Sequence, residues 1–306
     1  MNASPDTIIL IPTYNNAGTL ADVVQRALRQ GLPVLVVDDG STDETASLLH
    51  SLMEREVTPS AKKYDDATGI TSLSTDITSI DATENASLST NINAESTDRV
   101  GFPVASALSL AEGKPTLSVI THEINQGKGV ALKTGFQEAQ RLGYQYVVTL
   151  DADGQHHPED VPLLMAQKGE KTLVVGSRSI RGKDGGSSFA NKFSNFWFTL
   201  YTWIKLPDTQ TGYRLYPLKD LPSLKLLSAR YEAELTLLVF SAWKGLKLVP
   251  VPVQVEYPED RVTHFRPGKD FTRISILNTL LLFVAIFYGY PRTLFRKFIS
   301  LFRKNS

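Results

Sequence analysis

The 306-residue chain has no cysteine. Disulfide frameworks, zinc–thiolate centres and thiol nucleophiles are thereby excluded, and the composition fits a reducing compartment. Net charge is absent too, since 32 Lys and Arg balance 32 Asp and Glu. Overall charge therefore predicts no nucleic-acid or other polyanionic partner. No Gly-x-Gly-x-x-Gly follows the first apolar segment, and no Gly-x-x-x-x-Gly-Lys-Ser/Thr occurs. That argues against a dinucleotide oxidoreductase and a P-loop NTPase. Residues Met1 to Asp6 carry neither a basic nor an apolar signal region, so no secretory signal is expected. No internal repeat is visible. What remains, 42% hydrophobic and 21% charged, can build an ordinary globular core.

The first apolar segment, Thr7 to Ile11, reads as a strand, followed by turn chemistry from Pro12 to Gly18. Thr19 can cap a helix whose Leu20, Val23, Val24, Ala27 and Leu28 share one face. Val34 to Val37 is a second buried strand, stopping at Asp38-Asp39-Gly40-Ser41. Ser41 to Glu44 reads as a capping box for the next helix. This strand–helix alternation predicts a parallel, doubly wound sheet. Residues 57–112 break the pattern. Within them Thr71 to Asp98 is rich in Ser, Thr, Asp and Asn, and the stretch reads as a low-complexity insertion. Thr116 to Thr121 is a third strand, Asn125 to Gly129 a glycine-rich loop, and a helix with Leu132, Phe136 and Ala139 on one face follows.

The chemistry concentrates after the next strand. Val147 to Leu150 leads into Asp151-Ala152-Asp153-Gly154-Gln155, two carboxylates and an amide at a strand end. Hard cations such as Mg²⁺ or Mn²⁺ take such oxygen sets and leave positions open for phosphate oxygens. Alone, an Asp-x-Asp is more often a solvated turn. In a doubly wound sheet, however, ligands bind at the carboxyl ends of the strands. Tyr14, Asn16, Asp38, Asp39, Lys128, the Asp151 group and Arg178 all fall at such ends. The cluster suits a nucleoside-diphosphate compound: Asp39 to accept from base or ribose, a metal on Asp151, Asp153 and Gln155, and Arg178, Arg214 and Lys128 to neutralise phosphates. Glu234 or Glu232 is the candidate base if the acceptor is a hydroxyl. The bland alternatives are surface ion pairs for the arginines and helix-dipole pairing for the glutamates.

The rest of the chain is more helical and aromatic. Asn191 to Lys205 carries six aromatic side chains, Asp208 to Arg214 is a polar loop, a helix opens at Tyr231, and Leu248 to Tyr257 is an edge strand. Ile274 to Tyr290 is the most apolar stretch. As a helix it would span roughly 26 Å, marginal for a bilayer core of about 30 Å. The tail beyond it interleaves Leu294, Phe295, Phe298, Ile299, Leu301 and Phe302 with Arg292, Arg296, Lys297, Arg303 and Lys304. That is the pattern of a basic interfacial helix drawn to anionic cytoplasmic lipid.

Pro12-Thr13-Tyr14-Asn15, Val36 to Asp43, Asn125 to Gly129 and Asp151 to Gln155 occur in an order that resembles the family 2 glycosyltransferases. The likeness is to the branch of dolichyl-phosphate mannosyltransferase and bacterial polyprenyl-phosphate glycosyltransferases. Gly176-Ser177-Arg178 and Thr211-Gly212-Tyr213-Arg214 match that branch's arginine segments, and His264-Phe265-Arg266-Pro267 resembles its Ser-His-x-Arg segment. The resemblance covers residues 7–56 and 115–270. It implies a GT-A fold, α/β with a mostly parallel, Rossmann-like central sheet flanked by helices, over residues 1–270. Residues 271–306 would form a membrane-associated tail. It further implies Pro12, Tyr14, Asn16, Asp39, Lys128, Asp151, Arg178 and Arg214 at a nucleotide-sugar, Asp151, Asp153 and Gln155 at the metal, and Asp153, Glu234 and Arg214 in catalysis. The activity implied is inverting, metal-dependent transfer from a GDP- or UDP-linked sugar to a lipid-linked acceptor at the cytoplasmic face of a membrane. Polyprenyl phosphate is the leading acceptor, a saccharide or glycolipid hydroxyl the next, and a silent nucleotide-sugar-binding scaffold the alternative of another class. Two departures stand out: Asn16 replaces a glutamate common among relatives, and the 57–112 insertion has no counterpart in compact members.

Overall fold

The computed structural model describes residues 5–57, 116–178, 189–224, 232–256 and 278–304. Nearly all of the 57–112 insertion and the whole 263–267 segment lie outside these residues.

Among them, seven strands form one sheet, ordered β3-β2-β1-β4-β6-β5-β7. β1 (Thr7–Thr13), β2 (Val34–Asp38), β3 (Leu117–Thr121) and β4 (Tyr146–Thr149) are mutually parallel. β6 (Arg214–Pro217) runs antiparallel to both β4 and β5 (Thr172–Arg178), and β7 (Lys247–Val253) is parallel to β5. The first three strands are predominantly apolar, and β1 and β2 are buried throughout. Successive side chains point to opposite faces. Ile8, Leu10, Leu35 and Val37 pack with Ala131, Leu132 and Phe136 of α3 (Lys128–Arg141) on one side. Ile9, Ile11, Val34 and Val36 pack with Leu20, Val23 and Val24 of α1 (Ala17–Leu28) on the other. A sheet buried on both faces is what continuous apolar strands require.

The register aligns the strand ends. Thr13 faces Asp38, and Asp38 faces Thr121. Thr149 faces Arg214 on the other side of the sheet, so the chain leaves β4 toward Asp151 beside the start of β6.

Four local expectations change. Thr19 is not the cap of α1, which begins at Ala17 after Asn16; the Thr19 hydroxyl donates instead to the Ala152 carbonyl, 2.7 Å away. Ser41 caps nothing. Its Oγ lies 2.5 Å from Asp38 Oδ1, and α2 (Thr45–Val57) starts later, with Thr45 N–H donating to Asp43 Oδ1. The edge strand β7 ends at Val253 rather than Tyr257. Finally, the loop from Asp208 ends in β6, a central strand that the sequence reading did not anticipate.

The carboxyl half adds to both flanks. α4 (Val161–Met165), on the side of α1, follows a short 3₁₀ turn that opens with Pro158. On the side of α3, α5 (Phe189–Thr202) buries Phe198 and Tyr201, while α6 (Glu232–Lys244) buries Trp243. Residues 278–284 are helical and pass through a π-helical turn, Ala285–Gly289, into α7 (Tyr290–Lys304). Gly289 lies against the Trp243 ring, where a Cβ would come within 2.3 Å of it. Among the described residues, no helix is long and apolar enough to cross a membrane.

Candidate active site at the carboxyl edge of the sheet

The loops after β1, β2, β3 and β4 meet at one edge and are tied to one another by side chains. Asn15 accepts from Thr42 N–H at 2.8 Å, and its own N–H donates to Ser41 Oγ at 2.9 Å. Asn15 does this at φ 54°, a left-handed conformation that Asn tolerates better than most residues. Asn16 turns its amide back to Thr13 Oγ1 and the Tyr14 carbonyl. Pro12 is buried within β1, and Tyr14 is half-buried above it. At the next loop Gly40, at φ 70°, lies so close to Ile124 that a Cβ would meet its carbonyl carbon at 2.5 Å.

Asp39 is 2% exposed and organises the loop after β3. Its Oδ1 lies 2.7 Å from His122 Nδ1 and accepts the Gln126 N–H at 3.0 Å, while Oδ2 accepts the Gly127 N–H at 2.7 Å. His122 Nε2 in turn pairs with Thr134 Oγ1 at 3.0 Å. With its first residues anchored on Asp39, the loop delivers Lys128 across the edge to the β4 loop. Lys128 Nζ sits 2.6 Å from Asp151 Oδ1 and 3.0 Å from Glu234 Oε1. Burial alone would lower the lysine pKa, but the two carboxylates outweigh it and hold it raised. The converse applies to Asp151: burial works to raise its pKa, and Lys128 and His156 bring it below the ordinary value.

Asp153 behaves oppositely. Burial and then the neighbouring Asp151 charge push its pKa up. Its two oxygens take the Gln155 backbone N–H at 3.0 Å and the Gln155 side-chain amide at 2.7 Å. Gly154, at φ 74°, permits the tight turn that folds Gln155 back. His156 Nδ1 is buried without a hydrogen-bond partner and lies 3.6 Å from Asp151 Oδ2. Among the described residues no three His, Cys, Asp or Glu side chains come together as a metal-holding group. Asp151 and Asp153 lie close enough for the charge of one to act on the other. A divalent cation would relieve their mutual repulsion, with the remaining positions left to phosphate oxygens and water. Gln155 presents its amide nitrogen, not its oxygen, to Asp153, so the amide would have to turn over to offer an oxygen beside that carboxylate.

The two arginines differ. Arg178 forms a two-point ion pair with Asp208 through Nε at 2.5 Å and a terminal nitrogen at 3.0 Å. Arg214, expected to meet phosphate, is 0% exposed. It donates to the carbonyls of Glu234 at 2.7 Å and Thr209 at 3.0 Å. It thus lies beneath the site, and its charge helps to lower the Asp151 pKa. Glu234 is buried beside Lys128, and Glu232 is half-buried at the start of α6. Gly212 closes the floor: a Cβ there would meet both Asp151 oxygens at 2.7 Å.

The sequence reading missed His122, Thr134, Asp208 and the backing role of Gly212. His122 had a usable signal, since it is the residue immediately after β3, at the same edge as the others. Asp208 had none, because its partner lies 30 residues away.

The Glycosyl transferase family 2 model matches residues 8–67 and 92–220. The chain belongs to that family. The UDP-N-acetylglucosamine–dolichyl-phosphate N-acetylglucosaminyltransferase of Methanococcus voltae is 32% identical over 149 residues, 46% of this chain and 59% of that protein. The undecaprenyl-phosphate mannosyltransferase of Micrococcus luteus is 31% identical over 147 residues, 45% and 60% of the two chains. This chain thus spans less than two thirds of the length of either. A longer match, 25% over 260 residues, joins it to the polyprenol monophosphomannose synthase of Mycolicibacterium smegmatis, covering 81% and 76%. Among solved structures, glucosyl-3-phosphoglycerate synthase from Mycobacterium tuberculosis, in complex with Mg²⁺ and UDP, superposes with a TM-score of 0.52. The match has 17% identity and covers 92% of this chain and 79% of that one. The family 2 chain described here therefore has a GT-A-like fold.

Proposed function

We propose that this family 2 chain transfers a sugar from a nucleotide-sugar to a lipid-linked phosphate, polyprenyl phosphate being the acceptor class, with inversion at the anomeric carbon. The observation that carries the reading is the set of charges at the sheet edge: Asp151 and Asp153 beside Lys128, with Arg178 at the end of β5. Relatives named for dolichyl-, undecaprenyl- and polyprenol-linked products support the acceptor class.

In this reading Pro12, Tyr14, Asn16 and Asp39 hold the nucleoside, while Lys128 and Arg178 lie along the diphosphate. Asp151, Asp153 and Gln155 would hold Mg²⁺ or Mn²⁺, and when bound the cation would stabilise charge on the leaving diphosphate, a contribution of several kcal/mol. An acceptor phosphate oxygen attacks the anomeric carbon from the side opposite the diphosphate. The new C–O bond forms as the bond to the diphosphate breaks, and nucleoside diphosphate leaves. Arg214 acts from below, fixing the Glu234 and Thr209 backbone. A phosphate acceptor is already anionic and needs little base catalysis. Glu234, held by the Lys128 ammonium at 3.0 Å, suits a positioning role better than that of a base. A hydroxyl acceptor, saccharide or glycolipid, would instead require Glu234 to take its proton.

The tail fits a seat on the cytoplasmic membrane surface. Phe287, Leu294, Phe295, Phe298 and Leu301 are exposed, and so are Arg292 and Lys297. Residues 278–304 contain five basic residues and no acidic one, a composition suited to anionic lipid. Arg296 is a correction to that basic set, since it turns inward to the Trp243 carbonyl at 2.9 Å and finishes α6.

The test is a thermal-shift panel of GDP- and UDP-linked sugars with Mn²⁺ or EDTA, on wild type and Asp153→Ala, followed by assays with polyprenyl phosphate. A donor at about 100 times its dissociation constant stabilises the fold by about 2.7 kcal/mol. That shift is expected only with metal and is expected to vanish in Asp153→Ala. With polyprenyl phosphate as acceptor, Glu234→Gln keeps its rate within about tenfold; a fall of 10²-fold or more would move the assignment to a hydroxyl acceptor. Donor binding without turnover on any acceptor would leave a binding scaffold.

A further inference from the structure

The reading above gives Asp39 to the nucleoside but leaves the base open, and the hydrogen bonds around Asp39 narrow that choice. An ionised carboxylate offers about four acceptor positions, two on each oxygen. On Oδ1 both are used, by His122 Nδ1 at 2.7 Å and the Gln126 N–H at 3.0 Å. On Oδ2 one is used, by the Gly127 N–H at 2.7 Å. A carboxylate accepts and does not donate, so Nδ1 of His122 carries the proton in this pair. The other ring nitrogen meets Thr134 Oγ1 at 3.0 Å, which holds the ring in that orientation. His122 and Asp39 are both largely buried, with 1% and 3% of their side chains exposed, so the fold holds this pair together.

We infer that His122 is the residue that sets nucleobase choice, because it fills one oxygen of Asp39 and leaves a single acceptor position, on Oδ2, to the base. Uracil presents one imide N–H between two carbonyls and needs one such acceptor. Guanine presents N1–H beside N2–H₂, two donors in a row that call for both oxygens of a carboxylate. With Oδ1 already saturated, guanine would bury a donor without a partner, which costs affinity rather than merely failing to add it. The site therefore takes a uridine-diphosphate sugar. This inference rests on the nucleoside role proposed for Asp39, and His122 acts through Asp39 as a positioning residue.

The experiment measures the affinity of the full chain for UDP and GDP by titration calorimetry in Mn²⁺, with inorganic pyrophosphate as a ligand lacking a base. Wild type is expected to bind UDP at least about tenfold more tightly than GDP, the effect of one unpaired buried donor. His122→Leu frees a position on Oδ1, and the UDP-to-GDP preference is expected to fall toward unity while pyrophosphate binding stays within twofold. His122→Asn can place its amide N–H where Nδ1–H stood, and is expected to restore the preference. A change confined to packing would weaken all three ligands alike and would not separate Leu from Asn. Equal or tighter binding of GDP by wild type overturns the inference even if neither variant folds, as does an unchanged preference in a folded His122→Leu. Binding of pyrophosphate with neither nucleotide would overturn the nucleoside role of Asp39 itself.

Discussion

Asp38 ends β2 with Asp39 just after it, Asp151 and Asp153 follow β4, and the two strands flank β1, yet the pairs take their partners in opposite ways. The first pair is buried and takes its donors from the fold itself: the Ser41 N–H and hydroxyl on Asp38 Oδ1, with Asp38 Oδ2 left without a hydrogen-bond partner among the described residues, and two backbone N–H groups with His122 on Asp39. The second is half-exposed and answered by groups that can leave, the Lys128 ammonium on Asp151 and the Gln155 amide on Asp153. Backbone donors in a closed loop do not exchange. A lysine on a four-carbon stem does, and so does a side-chain amide at a turn. The first pair thus takes its donors from the fold, and the second is a place where a cation can replace a cation. The residues joining them, 126–128, are anchored at Asp39 and end at Asp151. A loss at the first pair should therefore be felt at the second, while the reverse should not hold.

The largest effect expected is on the scaffold side. Asp39→Ala leaves buried His122 without its Nδ1 partner and removes the acceptor of the part-buried Gln126 and Gly127 N–H groups. At about 1–3 kcal/mol for each unsatisfied group, the loss in urea unfolding should reach about 3 kcal/mol or more. Asp153→Ala should cost less than about 1 kcal/mol in EDTA. Equal losses for the two would break the contrast. Next in size is Lys128→Met. It leaves Asp151 and Glu234 facing each other without the ammonium at 2.6 and 3.0 Å, and should cost about 2 kcal/mol in EDTA, below the fully buried case because the lysine is partly exposed. Added Mn²⁺ should restore at least half of that loss. No recovery with Mn²⁺ would mean that the lysine is scaffold after all.

Much of this arrangement was legible because it is local or periodic. Thr7 to Ile11 reads as an apolar strand and Val34 to Val37 as a buried one, and both are buried strands. The loop residues could be placed at one edge once the strands were recognised as parallel. What was not legible depends on partners distant in sequence. β6 opens with Arg214 and closes with Pro217, which reads as loop until β4 and β5 pair with it from both sides. Arg214 looked like a phosphate ligand because nothing local announces the carbonyls of Thr209 and Glu234. Thr19 and Ser41 could each have capped a nearby helix. Tertiary acceptors, the Ala152 carbonyl and the Asp38 carboxylate, took their hydroxyls first.

The smallest effect is also the sharpest probe of the comparison, because its sign is opposite to that at Asp39. Burial and Asp151 raise the Asp153 pKa above its ordinary 3.8. The folded protein therefore holds this proton more tightly than the unfolded chain does. The stability Asp153 contributes is complete below about 3.8 and is lost as pH rises through the raised folded value. At pH 7 the ionised group is a net cost in the absence of a cation. Asp153→Asn removes that cost while keeping the side chain's shape. In EDTA it should leave the protein equally stable at pH 7 or more stable by up to about 1 kcal/mol, and the gain should shrink as pH falls toward 4. Asp151, whose pKa Lys128 and His156 lower against burial, runs the other way, its contribution present above 3.8 and lost as pH falls below it. Urea unfolding of wild type and Asp153→Asn between pH 4 and 8 reads the difference directly. If Asp153→Asn were the less stable protein at pH 7, Asp153 would be bound into the fold as Asp39 is, and the β4 loop would hold its carboxylates for structure rather than for a cation.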